Sequence, residues 1–486
     1  MRCLHQRREG RAALRLIAAA ALTAAAALLA TPTPAAIVWD GEAGTNWWFN
    51  PVNWNTNSND NVQLPPSTPI SGADAQLNAG TGVWDVTGEG VVYDPANDPH
   101  FAAASSLVFP TGSTMVSTPG VNRDYGPETI YRLYVSRNTT NHNLLTIKSG
   151  DLVIESTTII GRSGSSVGNQ NEGRVVQTGG SVRLPTIALD LGQREASGWG
   201  NGVWDYRGGV LEVSLVGGNG LRLSAGGGAG AGGTGRFIMR NPASGGYVRT
   251  FVLNVAANGG PGGFGNSANP DGVNTGVGIL EFHFENGGTR PFQVEQNLSI
   301  NNGRVSDTTD AVRSSRLALV LNSAPTVTAG IPQNLGLIDV NFGGIFNGTI
   351  TGTGDLTGDN VFNNDRVFSD ITGTTHYREG DMVSATFGST KYNWTISYTG
   401  DITWTDANNS VVNQVTGPMT GTDVVLLGHS IETIAVDNAD FNGDGRVDGA
   451  DFLIWQRGLG VGTTLAAGDA NGDGAVNAAD LTIWRN

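Results

Sequence analysis

Leu144-Leu-Thr-Ile-Lys-Ser-Gly-Asp-Leu-Val-Ile154 sets an apolar run, a Ser-Gly turn and a second alternating run side by side. The pattern returns. Arg174-Val-Val-Gln177 leads into Gly179-Gly180, and Gly208-Gly209 leads into Val210-Leu-Glu-Val213. The turn pairs Ser149-Gly150, Gly179-Gly180 and Gly208-Gly209 begin 30 and 29 residues apart, and Ile160-Gly161 and Leu191-Gly192 recur 31 apart. Short apolar or alternating runs bounded by turn residues read as strands. A period near 30 is the length of one coil of a parallel β-solenoid, in which each coil buries its inward residues against its neighbours.

Further runs follow at Leu221-Arg-Leu223, Phe237-Ile-Met239, Ile279-Leu-Glu-Phe-His-Phe284, Leu317-Ala-Leu-Val-Leu321 and Leu337-Ile-Asp-Val340, with almost no helical periodicity between them. The repeat blurs at Gly226 to Gly235, which reads as a flexible loop because no helix follows to hold a phosphate. The chain is therefore expected to be mainly β, with a parallel β-solenoid (β-helix) body over residues 37–430. The alternative is an antiparallel β-sandwich, which places hairpin turns about every 8 to 12 residues.

The last fifty residues have a different chemistry. Asp440-Phe-Asn442-Gly-Asp444-Gly445-Arg446-Val447-Asp448-Gly-Ala-Asp451 is followed 29 residues later by Asp469-Ala-Asn471-Gly-Asp473-Gly474-Ala475-Val476-Asn477-Ala-Ala-Asp480. Ca²⁺ takes six to eight oxygen ligands. In a twelve-residue loop, positions 1, 3 and 5 supply side-chain oxygens, position 7 a main-chain carbonyl, position 9 usually a water, and position 12 a bidentate carboxylate. Those positions are Asp440, Asn442, Asp444, Arg446, Asp448 and Asp451 in one loop, and Asp469, Asn471, Asp473, Ala475, Asn477 and Asp480 in the other. Gly445 and Gly474 fall at position 6, where the chain must turn sharply.

An Asp/Asn/Gly run is also an ordinary turn. A turn needs no second copy, however, and from Asp440 to Trp455 against Asp469 to Trp484 ten of sixteen positions are identical. Two Ca²⁺ ions are expected, one per loop. Val447 and Val476, at position 8, are expected to pair through a short β-bridge. Phe452-Leu-Ile-Trp455 and Leu481-Thr-Ile-Trp484 are expected to open the helices that follow the loops.

Paired half EF-hands at a C-terminus resemble a type I dockerin module, over residues 431–486. The resemblance implies a small all-α, Ca²⁺-stabilised fold that docks noncovalently into a cohesin-like partner on a scaffold or cell surface. In that family, docking runs chiefly through loop positions 10 and 11, often Ser-Thr. Here they are Gly449-Ala450 and Ala478-Ala479, so the ion sites carry over while the partner's identity does not.

The opposite end sets the compartment. Arg2, Arg7, Arg8, Arg11 and Arg15 precede an Ala/Leu run over Leu16 to Ala30, and Thr31-Pro-Thr-Pro-Ala35-Ala36 supplies small residues for cleavage. Residues 1–36 are expected to be a signal peptide, with an extracellular or cell-surface destination. The run is too short for a permanent membrane span. The single cysteine, Cys3, leaves with the signal, so the remaining chain relies on no disulfide. The chain carries a formal net charge of −15, which becomes −19 without residues 1–36. Such acidity disfavours nucleic acid and suits attraction of divalent cations.

Ile37-Val-Trp39-Asp-Gly41 through Asn46-Trp47-Trp48 and Pro51-Val-Asn53-Trp54, with Tyr377-Arg-Glu-Gly380-Asp381, Trp394-Thr-Ile-Ser-Tyr398-Thr-Gly400 and Asp423-Val-Val-Leu426, resemble extracellular bacterial proteins with autotransporter-associated β-strand repeats. That resemblance implies surface display. Trp39, Trp47, Trp48 and Trp54 either cap the first coil or form a stacking platform for sugar rings.

Three functions stay open: a structural or adhesive body docked by its tail, a polysaccharide-degrading enzyme acting on O-glycosyl bonds, and a carbohydrate-binding module. For catalysis, a glycosidase needs two carboxylates flanking the bond. Asp205 and the alternating Glu281, His283 and Glu285 are the visible candidates, against a turn at Asp205 and a solvated strand face for the others. Gly164-Ser-Ser166-Val-Gly168 lacks the strand-turn-helix setting of a nucleophile elbow. His100, His142, His283, His376 and His429 lack zinc spacing. Asp355-Leu-Thr357-Gly-Asp359-Asn360 begins like a third calcium loop, but its position 12 is Arg366.

Overall fold

The computed structural model describes residues 36–39, 46–50, 53–55, 74–77, 90–101, 129–130, 132–137, 142–156, 158–162, 170–185, 188–195, 199–214, 220–224, 226–227, 233–256, 274–300, 303–306, 309–340, 349–351, 367–405, 412–417, 421–433, 438–444 and 446–485. Residues 1–35 of the expected signal peptide, the Ser166 motif, the Asp355 loop with Arg366, and Gly445 lie outside these residues.

The fold is mainly β, with a small helical region at the C-terminus. Its strands join in one sheet of 20, one of 10 and a separate two-stranded hairpin among the described residues. Both large sheets are mixed and neither closes on itself. The pairing through the middle of the chain is parallel. His142–Ile147, Gln170–Gln177, Trp199–Tyr206, Thr234–Met239, Asn274–Phe284 and Thr309–Leu321 lie side by side in chain order. Among the described residues of this stretch no hairpin series of a sandwich occurs, Gly303–Ser306 against Thr309–Leu321 being an antiparallel strand pair within it.

Register follows from what each strand buries. Leu145, Val175, Trp204, Phe237, Leu280 and Leu317 are aligned partners across six strands, and all are buried. On the facing sheet, Leu189, Leu221, Leu253 and Leu298 form a second row. A one-residue slip would turn every inward side chain to the outside, so these rows lock the pairing. Fully burying each such side chain stabilises by roughly 1.5–3 kcal/mol.

The sequence spacing of the first row starts at 30 and 29 and then widens to 33, 43 and 37. Extra residues enter between strands while the strands keep register. Gly226 to Gly235, expected to be a loop, instead contributes residues 226–227 and 234–235 to strands.

One corner is a column of left-handed residues. Ser136 (φ 60), Gly161 (φ 70), Gly192 (φ 68), Ser224 (φ 58) and Ala256 (φ 54) each follow a buried Val, Ile or Leu of the facing sheet. Glycine is required where backbones converge. A Cβ on Gly192 would sit 2.1 Å from the Thr234 carbonyl oxygen.

The tryptophans near the N-terminus are interior. Trp39, Trp48 and Trp54 are 8%, 0% and 1% exposed, and their edge-to-face contacts run on to Tyr93, with Trp48 to Tyr93 at 5.6 Å. The Trp54 indole N–H donates to the Trp48 carbonyl at 2.7 Å. A sugar-stacking platform needs open ring faces, so these three rings do not form one.

Towards the C-terminus the pairing turns antiparallel, through Met382–Phe387, Thr390–Trp404 and Asp423–Thr433. Asp423 bridges this sheet to the parallel one, accepting from Val340 N at 2.8 Å and Ile402 N at 2.7 Å. Its neighbour Asp339 accepts from the Trp404 indole at 2.6 Å. Burial pushes both carboxyls above the usual range; the Asp339 charge adds to the rise at Asp423, and the Asp401 charge acts in the same direction on both.

The sign follows from linkage. A folded pKa above the unfolded value of about 3.9 gives stability that is present below that pH and lost as pH rises into the neutral range. Asp339→Asn keeps an acceptor for Trp404 but cannot ionise. It is expected to raise the urea midpoint at pH 8 and to flatten its decline between pH 5 and 8. A variant with the wild-type slope would sink this expectation.

Candidate metal centre

The C-terminal segment consists of two loop-helix units. Helix α1 spans Gly449–Gly458 and helix α2 spans Ala478–Arg485. Asp448, the last loop residue before α1, caps it by accepting from Ala450 N at 2.8 Å, and Asp451 returns the bond to Asp448 N in a capping box. Asn477 accepts from Ala479 N in the same way ahead of α2.

The loops are drawn together from position 12. Asp451 accepts from Asn442 N at 3.2 Å and Asp448 N at 2.9 Å, which are positions 3 and 9. Asp480 accepts from Asn471 N at 3.1 Å and Asn477 N at 2.7 Å, the same two positions. Asp451 and Asp480 are both fully buried. Burial raises the Asp451 carboxyl, but bonds from Asp448, Asn442 and Phe441 N–H outweigh it and hold the group below the usual carboxylate range. At positions 3 and 5, Asn442 accepts from Asp444 N and Asn471 from Asp473 N, both at 2.9 Å. Gly474 adopts φ 83, the conformation position 6 demands.

The oxygen geometry fits a cation most clearly in the second loop. Asp469 is 3% exposed; one carboxylate oxygen accepts from Gly474 N at 2.9 Å, while the other, Oδ1, is buried without a hydrogen-bond partner. A buried, unsatisfied carboxylate oxygen costs several kcal/mol unless a counter-charge reaches it. A divalent ion at loop position 1 would supply that charge. Among the described residues, no three His, Cys, Asp or Glu side chains cluster closely enough to hold an ion by themselves. The remaining donors in these loops are amide and main-chain oxygens, which suit a hard cation.

The two units lock reciprocally. The Trp455 indole donates to the Asn477 carbonyl at 2.9 Å, and the Trp484 indole donates to the Asp448 carbonyl at 2.9 Å. Each tryptophan thus grips position 9 of the opposite loop. Phe452 packs against Trp484 at 4.8 Å, and Ala439, Phe441, Trp455, Ala470 and Val476 form the small core.

The expected Val447–Val476 bridge does not form. Val476 is 2% exposed and exchanges main-chain bonds with Gly460 (2.9 Å) and Gly462 (3.0 Å) of the link between units, whereas Val447 is 52% exposed. With the indoles and the small core joining the units, the second loop pairs with its own preceding link.

In the body, the structure brings the catalytic candidates onto one sheet face and engages them all. Asp205 begins no turn: it lies within Trp199–Tyr206, fully buried, with Arg174 at 2.8 Å, Arg207 at 2.7 Å and Arg240 at 3.0 Å. Burial pushes its carboxyl up, but the Arg207 and Arg240 guanidiniums more than offset this and hold it at about 2. Glu281 and His283 are 5% and 7% exposed, which removes the solvated-face reading. Glu281 pairs with Arg236 and with His283 Nε2 at 2.7 Å. His283 Nδ1 faces donors on Arg240 and Asn322, so Nε2 carries the proton that bonds Glu281. Glu285 accepts from Asn322 at 2.9 Å. These arginine-saturated carboxylates have the character of a structural ion lattice, and Asp205 carries no proton to donate near neutral pH.

No curated protein and no solved structure matches the chain. No helix among the described residues is long and apolar enough to cross a membrane. A family model described as the dockerin type I domain matches residues 438–486. Members of that family bind Ca²⁺, dock to cohesin partners, and typically occur in extracellular or cell-surface proteins. The duplicated loop-helix segment at the C-terminus is a type I dockerin domain.

Proposed function

We propose that this is an exported protein in which a dockerin module, folded around two Ca²⁺ ions, docks a structural or adhesive β-solenoid body noncovalently onto a cohesin-bearing extracellular assembly. The organisation is residues 1–36 as signal peptide, 37–430 as body with a Trp-rich N-terminal cap, and 431–486 as docking module. The parallel rows of the body and the period of the turns favour a solenoid whose last coil is covered by the antiparallel strands.

The first ion is held by Asp440, Asn442, Asp444, the Arg446 carbonyl and Asp451, with Asp448 acting through water. The second is held by Asp469, Asn471, Asp473, the Ala475 carbonyl and Asp480, with Asn477 in the water position. The buried oxygen of Asp469 that has no hydrogen-bond donor is the observation that carries this reading.

The expected result is that calorimetric titration of the chelated full chain saturates at two equivalents of Ca²⁺ and that Asp480→Ala abolishes binding at the second loop and weakens it at the first. Immobilised type I cohesin should then retain the wild-type chain with Ca²⁺ and release it in chelator. Absence of binding heat in the wild type would remove the metal centre and the docking with it.

A further inference from the structure

A polar cleft opens on the body where three successive turns stack against the strand Val412–Thr416. Its volume, about 560 Å³, lies within the range of small-ligand sites, roughly 300–1,000 Å³. Of its lining residues Arg290 alone is charged, and none is acidic, in a chain with 43 acidic against 28 basic residues. The cleft therefore does not select cations.

Amide side chains dominate the polar lining. Four of them hold the walls in place. Asn241 donates to the Glu285 carbonyl at 3.0 Å and Asn286 to the Asn241 carbonyl at 2.6 Å, tying adjacent turns. Gln333 donates to the Gly287 carbonyl at 2.9 Å and Asn334 to the Val415 carbonyl at 2.9 Å, closing the side. Glu285 and Gly288 bridge across an Asn-Gly turn with φ 50 at Asn286 and φ 81 at Gly287, a two-residue hairpin loop with a rigid shape. The walls are built before any ligand arrives.

Each amide offers two N–H donors and a carbonyl acceptor. Gln333 and Asn334 use their oxygens internally, accepting from Thr326 N and Gly428 N. Asn241 and Asn286 spend one donor each, and Gln414 is exposed. A group that donates and accepts at once pairs naturally with hydroxyls, which do the same. Half-buried Val412 and Val415 supply apolar surface beside them.

We propose that this cleft binds a segment of a glycan chain, its hydroxyls read by Asn241, Asn286 and Gln414 and its carbon faces set against Val412 and Val415. The site is independent of the docking module. It gives the body a ligand of its own and relies on no aromatic platform.

The test is calorimetry of the full chain with an uncharged hexamer of β-1,4-glucose and with a hexamer of galacturonate. At least one probe should bind. Ala243→Trp, which places bulk at an exposed position in the lining, should weaken binding at least about tenfold with the melting temperature unchanged, and Gln414→Ala should weaken it about threefold to tenfold. Binding of galacturonate alone, weakened by salt, would identify Arg290 as selecting acidic chains; binding of both would identify hydroxyl recognition. No heat from either probe at millimolar concentration would overturn the proposal. So would affinity unchanged in both variants.

Discussion

Chelating Ca²⁺ from the full chain is expected to unfold residues 438–486 and leave the parallel rows of the body intact. Five buried apolar residues are a small core for this module, and segments of this size commonly need a metal to be stable. Each site held at about 100 times its dissociation constant adds about 2.7 kcal/mol. Two such sites contribute about 5 kcal/mol, comparable to the whole stability of many small domains.

The measurement is near-ultraviolet circular dichroism of Trp455 and Trp484, followed by limited proteolysis. Chelator should remove only the Trp455 and Trp484 contribution, identified by its loss in a Trp455→Phe/Trp484→Phe chain, while the body's buried tryptophans keep theirs, and should confine cleavage to the C-terminal end; added Ca²⁺ should reverse both. An unchanged spectrum would end the metal reading. Acid should act in the same direction as chelator. Asp451 titrates below its unfolded value in the fold, so its contribution is present above about pH 4 and is lost as pH falls further. The Asp339–Asp423 pair has the opposite sign, so its contribution to the body is lost as pH rises, whereas that of Asp451 to the C-terminal module is lost in acid.

Gly209→Ala is the second large effect expected. Gly209 sits at φ 85, and a Cβ there would lie 2.2 Å from the Gly180 carbonyl oxygen of the previous turn. Left-handed backbone costs a residue with a side chain roughly 1–2 kcal/mol, and overpacking adds about 1–3 more. A loss of about 2–5 kcal/mol should appear in urea unfolding of the body. Gly330 has a similar φ of 80 with open space around it, so Gly330→Ala isolates the conformational part and should cost only about 1–2 kcal/mol. Equal losses in the two variants would show that the turns are not stacked as closely as described.

The same glycines explain how much of the fold was legible. Gly180 and Gly209 must be glycine for both conformation and space, so the period of about 30 was visible where they occur. Further on, the rows persist at spacings of 33, 43 and 37, and no fixed period marks them. The left-handed corner was half visible. Gly161 and Gly192 announce it, but Ser136, Ser224 and Ala256 adopt the same backbone without a glycine to signal it.

The site divides in the same way. The dockerin match falls on the repeated Asp/Asn/Gly loops, whose pattern stands out because a calcium loop draws its ligands from twelve consecutive residues and fixes residue type at each step. Asp205 was misread because its partners Arg174 and Arg240 stand 31 and 35 residues away on neighbouring strands. Within Trp204-Asp205-Tyr206-Arg207 only Arg207 is a partner, at 2.7 Å, and one nearby cation does not distinguish a buried acid from an exposed one. The expected valine bridge failed for a related reason: the contacts joining the units come from Trp455 and Trp484, beyond the loops themselves.

Those crossed indoles make the two halves of the docking module mutually dependent. Each clamps main chain of the opposite loop, so an ion leaving one loop would slacken the other. Loading should therefore be steep and near all-or-none, with attachment switching over a narrow span of free calcium instead of fading gradually.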